Sequence, residues 1–187
     1  MSETPIAAAA DDPTTPDPGT VVLTCRSGPE LTTAELYGML RLRVDVFVVE
    51  QECPYPELDG RDLDATTRHI RAVTGGTRNG EPGNDGGDVG GADPAAAPGA
   101  TVGCLRVLRD PDGTARIGRV CTAARVRGTG LGARLMRAAL DVVGDTECVL
   151  DAQTYATGFY ARFGFRVEGD EFDEDGIPHV TMRRPRT

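Results

Sequence analysis

The five residues Gly128-Thr129-Gly130-Leu131-Gly132 constrain the architecture of this chain more than any other stretch. They follow an apolar run at 115–122 that reads as a strand. They open a helical stripe of Leu131, Leu135, Met136, Ala139, Leu140 and Val143. Glycine at a strand-to-helix junction admits left-handed backbone and lets main-chain N–H groups approach a ligand. The helix adds its unpaired first-turn donors and the positive end of its dipole. Together these form a cradle for phosphate. Arg125 and Arg127 stand beside it.

Several uses of such a turn compete. A P-loop requires Gly-x-x-x-x-Gly-Lys-Ser/Thr, and this chain has no lysine; its basic residues are all arginine. A dinucleotide fingerprint is nearer, since Gly128, Gly130 and Ala133 fit Gly-x-Gly-x-x-Ala and Asp151 stands further on. There the first glycine follows its strand directly, whereas Thr-Ala-Ala-Arg-Val-Arg intervenes here, and too little chain remains after Asp151 for a second half. A tight turn that binds nothing is a third option.

Charge narrows the partners. The formal net charge of −9 opposes nonspecific nucleic-acid binding, which needs a broad basic footprint. Yet eight arginines fall between residues 106 and 137 (Arg106, Arg109, Arg116, Arg119, Arg125, Arg127, Arg134 and Arg137). They face only Asp110 and Asp112, a patch suited to a polyanionic ligand. The competing reading for each is a solvated strand or helix face. The five cysteines (Cys25, Cys53, Cys104, Cys121 and Cys148) form no CxxC pair, and the only histidines are His69 and His179. Neither a metal site nor a disulfide framework is expected. Cys104, Cys121 and Cys148 sit in apolar runs and read as buried, reduced side chains. With no membrane-length apolar run and no leader pattern, a soluble cytoplasmic protein is expected.

Residues 1–19, rich in Pro, Asp, Thr and Ala, are expected to be a disordered tail. Residues 20–187 are expected to form a single domain, interrupted by a Gly/Pro/Asp-rich flexible loop at 75–100. Elsewhere the pattern predicts β-α-β-β-β-α-β-α-β-β. Thr32-x-x-Glu35 is a capping box, opening a helix with Leu36, Leu40, Val44 and Phe47 on its stripe, and residues 46–60 leave that helix. Asp110-Pro111-Asp112-Gly113 predicts a tight turn between two paired strands, and Gly144 a helix stop. The fold class is α/β (α+β), a mixed sheet with helices packed on it.

Arg125-x-x-Gly128-x-Gly130, between strand and helix, resembles the pyrophosphate loop of the GNAT acetyltransferases. A second segment, VLDAQTYATGFYARFGF at 149–165, resembles the later strand-helix-strand of that superfamily. LYGMLRLRVDVFVVEQECPYPELDGRDL (36–63) and EDGIPHVTM (174–182) are similar to its ElaA-like branch. The resemblance covers residues 20–183 apart from the 75–100 insert. It implies a mostly antiparallel sheet with a V-shaped splay between the strands at 115–122 and 147–153. It also implies acetyl-CoA as co-substrate, with no metal. Val120, Cys121 and Thr122 would align the pantetheine arm, and Arg125, Arg127, Gly128, Thr129, Gly130, Leu131 and Gly132 would hold the pyrophosphate.

The implied activity is transfer of an acetyl group to a primary amine by direct attack. The alternative is a non-catalytic acyl-CoA-binding module of the same fold. A lysine-like amine has a pKa of about 10.4 and must lose a proton before attack. Tyr160 matches the family's acid in the Phe-Tyr segment and also borders the cofactor; the competing reading is a packed tyrosine with a wet hydroxyl. His179, Glu174, Glu50 and His69 are base candidates, of which His179 and Glu50 lead. Arg43, Gln51 and Tyr55 belong to the region that lines the acceptor pocket in the family. Seven acids against Arg61 in 45–64, and six in 168–175, would favour a cationic acceptor, small molecule or peptide, if they border the cleft. No membrane partner is expected, and the protein would act as a monomer or homodimer.

Overall fold

The computed structural model describes residues 21–75 and 99–186. The expected tail at 1–19, and all but the ends of the expected loop at 75–100, lie outside them. The elements are β1 (Val21–Ser27), α1 (Thr33–Arg43), β2 (Arg68–Thr74), β3 (Thr101–Arg109), β4 (Ala115–Thr122), α2 (Leu131–Val143), β5 (Cys148–Gln153), α3 (Thr157–Ala161), β6 (Arg166–Val167), β7 (Phe172–Glu174) and β8 (Ile177–Arg184). The expected order therefore gains one strand, β7, whose three residues are exposed and carry no apolar alternation.

Local chemistry accounts for the boundaries. Thr32 Oγ1 accepts from the Glu35 amide at 3.3 Å, and Glu35 Oε2 accepts from the Thr32 amide at 3.0 Å, so α1 starts at its capping box. The turn after β3 closes with Gly113 N donating to Asp110 O at 2.9 Å. α2 ends at Gly144, whose positive φ of 65° suits glycine. One boundary differs from expectation. The helix does not end near Val46 but continues in wider π turns over Val44–Glu50. Its buried face is Met39, Leu42, Arg43 and Val46. Leu36, Leu40 and Phe47 pack only partly buried against the core.

The eight strands form one sheet in the order β1-β2-β3-β4-β5-β8-β6, with β7 also on β8. Every pairing is antiparallel except β4 with β5. The helices cover opposite faces. Gly103 on β3 looks toward α2, where a Cβ would meet Leu135 Cδ1 at 3.0 Å, so glycine permits the close packing. Strand alternation turns Cys104 and Arg106 to the other face, where Arg106 and Arg43 of α1 share Asp62. Leu135, Met136 and Ala139 are fully buried, and each large side chain contributes about 1.5–3 kcal/mol by leaving water.

The parallel seam is short. β4 and β5 pair only through Ala115 with Cys148 and Arg116 with Val149. Beyond those two rungs the strands part, and the sheet opens into a V.

Candidate active site

A cleft of about 660 Å3 fills the opening of the V. Of the residues singled out in the sequence, Val120, Cys121, Thr122, Arg127, Gly132, Tyr160, Glu50, Gln51, Tyr55, Glu174 and His179 line it. Gly128, Thr129, Gly130 and Leu131 form the turn next to Gly132 rather than the wall itself, and Leu131 is buried in the core. Arg125 borders a separate cavity of about 300 Å3 with Arg41 and Asp45. His69 is buried at the sheet, with Nε2 2.8 Å from the Asp62 carbonyl, and desolvation holds its pKa down.

The turn has the backbone a phosphate cradle needs. Gly128 and Gly130 have φ of 78° and 82°, and the space a Cβ would occupy is open at both. The first helical bond of α2 runs from Arg134 N to Gly130 O at 3.1 Å. The amides of Leu131, Gly132 and Ala133 therefore have no partner in the helix, and the positive end of its dipole points the same way. These groups fit a diphosphate. Arg127 is more committed: its guanidinium grips both Glu50 oxygens, at 2.5 and 2.8 Å, and donates to the Thr122 carbonyl at 3.2 and 3.1 Å. It ties the turn to the end of the π segment.

Beside the turn, β4 is irregular. Arg119 and Val120 together oppose Leu105, and Arg119 has a left-handed φ of 56°. Such a bulge takes backbone groups out of the ladder at the point where the strands part. Cys121 follows, its Sγ 3.5 Å from that of Cys104 across the β3–β4 ladder.

Tyr160 stands on α3, edge-on to Phe159 at 5.0 Å and Phe165 at 6.4 Å. Burial, aided by Tyr155 and Cys121, pushes its phenol up to about 12. It therefore stays protonated across the physiological range, as a proton donor must. His179 is buried, with Nδ1 2.8 Å from the Ile177 carbonyl. A carbonyl only accepts, so in that contact Nδ1 carries a proton, and Nε2 is the ring nitrogen left to other partners. Nε2 lies 3.7 Å from Glu174. Glu50 is held below the usual carboxylate range by hydrogen bonds from Arg127, which weakens it as a base.

The acceptor end is dominated by ions that the sequence does not pair. Arg43 lies away from the cleft wall, only 1% exposed, bound to Glu57 and, at 2.7 Å, to Asp62. Arg106 binds Asp59 and Asp62, and Arg119 binds Glu57 at 2.7 Å. The Arg43 position follows from the same network, which holds the 53–63 segment down on the sheet. Tyr55 donates to Glu57 and has Arg119 over its ring at 5.7 Å. Burial, reinforced by that carboxylate, drives its pKa up. Of the seven acids at 45–64, Glu50, Glu57, Asp59 and Asp62 are thus paired with arginines. Of the second run, Glu174 and Asp175 reach the cleft.

Sequence reasoning missed Gln153 and Tyr155. Gln51 and Gln153 exchange reciprocal amide hydrogen bonds at 3.2 Å across the V, and Gln153 is the strand partner of His179. Tyr155 sits at the mouth, 80% exposed. Neither lies in a pattern that spacing alone would flag.

A split parallel seam, a glycine turn with unpaired helix amides and a half-buried tyrosine define the acyl-CoA N-acyltransferase class of α/β proteins. The family model for the GNAT acetyltransferase domain matches residues 94–185. The chain is also similar to an acyl-CoA N-acyltransferase from Pseudomonas aeruginosa, at 38% identity and a TM-score of 0.70, covering 88% of this chain and 99% of that one. It belongs to the GNAT acyltransferase family, in its ElaA-like branch. Escherichia coli ElaA is 35% identical over 161 residues, 83% of this chain and 90% of that protein, and its crystal structure superposes with a TM-score of 0.71. A UPF0039 protein of Mycobacterium tuberculosis is 47% identical over 160 residues, 83% and 88% of the two chains. Among the described residues no helix is long and apolar enough to cross a membrane.

Proposed function

We propose that the protein transfers an acetyl group from acetyl-CoA to a primary amine that enters the acceptor end of the cleft. One observation carries this reading above others: the two-rung seam opens β4 beside a turn whose amides have no helical partner, with Tyr160 in the same cleft. The amides from Gly128 to Gly132 would hold the diphosphate, and β4 around Val120 and Thr122 would align the pantetheine arm. Acetyl-CoA supplies an activated thioester; the chain supplies position and proton handling.

Tyr160 gives its phenolic proton to the leaving thiolate, and His179 Nε2 takes the proton that the attacking ammonium must lose. Glu174, 3.7 Å away, supports the charge that His179 acquires. Together Glu174 and Asp175 favour a cationic acceptor, small molecule or peptide.

An amine panel with acetyl-CoA as donor, read by release of free thiol, tests the proposal. At least one primary amine should give turnover that Tyr160→Phe suppresses. Tight acetyl-CoA binding with no acceptor across the panel would instead favour a coenzyme-binding module without turnover.

A further inference from the structure

Acyl transfer leaves two thiols without a task, Cys121 on the cleft wall and Cys104 buried behind it. Cys104 and Cys121 face each other across β3 and β4 as direct strand partners. Both are free thiols, 0% and 5% exposed, with their sulfurs 3.5 Å apart. Opposed residues of an antiparallel pair stand about 4.5–5.5 Å apart at Cα, inside the roughly 4.4–6.8 Å that a disulfide spans. Bringing the sulfurs to the bond length of about 2.05 Å therefore needs side-chain rotation and no sliding of strands. The bulge at Arg119 and Val120 lies just before Cys121, where the ladder is already irregular. Cys121 lines the cleft and is close enough to influence the ionisation of both Tyr160 and Arg127.

We propose that Cys104 and Cys121 are a redox-modifiable dithiol, oxidised to a cross-strand disulfide by a low-molecular-weight disulfide that enters through the cleft. Cys121 loses its proton to solvent and attacks one sulfur of the incoming disulfide. A mixed disulfide forms, and the other half leaves as a thiolate that is then protonated. Cys104, deprotonated in turn, attacks the Cys121 sulfur and expels the second half as a thiol. Two protein thiols become one disulfide, one small disulfide becomes two thiols, and two electrons pass from protein to oxidant. The Cys104 contact, followed by burial, raises the Cys121 pKa. Few thiolates exist at neutral pH, so the reaction is slow and depends on the cleft holding the disulfide in place. The disulfide chemistry stands apart from the coenzyme reading; only the route of access rests on it.

The test uses the full chain with Cys25→Ser, because Cys25 is an exposed thiol. The protein is incubated with oxidised glutathione, alkylated, and examined by intact mass and peptide mapping. The expected product has lost two hydrogens, joins the Cys104 and Cys121 peptides, and reverts with dithiothreitol. Cys104→Ser should instead retain a glutathione adduct on Cys121. Should that variant fold poorly, the map of the cysteine pair in the parent decides alone. Acetyl-CoA, which has no free thiol, at about ten times its dissociation constant leaves roughly a tenth of clefts open and should slow oxidation about tenfold.

Both cysteines remaining fully alkylatable after hours, or a crosslink to another cysteine, overturns the dithiol. An unchanged oxidation rate in protein shown by calorimetry to be saturated with acetyl-CoA overturns access through the cleft. Failure to bind acetyl-CoA in calorimetry while the Cys104–Cys121 crosslink still forms removes the coenzyme site and upholds the pair.

Discussion

On the coenzyme side of the cleft the working groups are main-chain amides, set by glycine torsions at 128 and 130 and by the start of α2. On the acceptor side they are side-chain ions, with Arg43, Arg106 and Arg119 clamping Glu57, Asp59 and Asp62, all buried except Arg119 and Asp59 at the rim. The first side can change its side chains freely so long as the backbone is kept. The second depends on each partner, because an ion left alone in a buried site carries its full desolvation cost. The two halves should therefore respond differently to mutation: one through ligand affinity, the other through folding.

Arg43→Ala gives the largest expected effect. It takes one of two arginines from each of Glu57 and Asp62, leaving them to Arg119 and Arg106 and emptying a fully buried site, so stability in urea denaturation should fall by about 3 kcal/mol, although Arg43 lies outside the cleft wall. A loss below about 1 kcal/mol, the scale of exposed pairs, would break the contrast. Tyr160→Phe comes next: maximal rate should drop about 100-fold, close to 2.7 kcal/mol in the barrier, while the urea midpoint hardly moves. With its phenol pushed up to about 12, Tyr160 should add no falling limb to the rate profile up to pH 10.

Gly130→Val sharpens the coenzyme side. Left-handed backbone at a β-branched residue costs roughly 1–2 kcal/mol, and an about tenfold weaker acetyl-CoA affinity by calorimetry should accompany it. Glu50→Gln should do least, since the Glu50–Arg127 pair is exposed: a change within about 1 kcal/mol in stability. Acid titration separates the halves again. Asp59 is held well below the usual carboxylate range, chiefly by its hydrogen bond from Arg106. Because its folded pKa is depressed, its contribution is complete above the unfolded value of about 3.9 and fades as pH falls through the lower folded value. The slope of stability against pH below about 4 should flatten in Asp59→Asn and stay unchanged in Gly130→Val, whose loss is the same at every pH.

The same division explains what the sequence made legible. The capping box at Thr32 and Glu35, the Asp110–Gly113 turn, the α2 stripe and the Gly128–Gly132 turn are all local: each is dictated by residues within a few positions of one another. The acceptor side is nonlocal. Nothing in the spacing pairs Arg106 with Asp59, 47 residues away, so the sequence could not show that Glu50, Glu57, Asp59 and Asp62 of the acid run at 45–64 each hold an arginine. The continuation of α1 into π turns was hidden for a related reason. A helix whose buried face includes a paired arginine defeats a count based on apolar residues. Gln153 was invisible because its partner, Gln51, comes from the other arm of the V.

The two-rung seam has a consequence for solubility as well as for binding. Past Arg116 and Val149, β4 and β5 each turn an unsatisfied ladder edge toward the other in the middle of a continuous sheet. Exposed edges of that kind recruit stray strands and seed aggregation. These lie at the base of a notch bridged by the Gln51–Gln153 amides, where an extended slender ligand can lie along β4 but a second chain, with neighbours of its own, is too broad to dock. Widening the notch by removing that bridge should therefore register first as self-association on concentration.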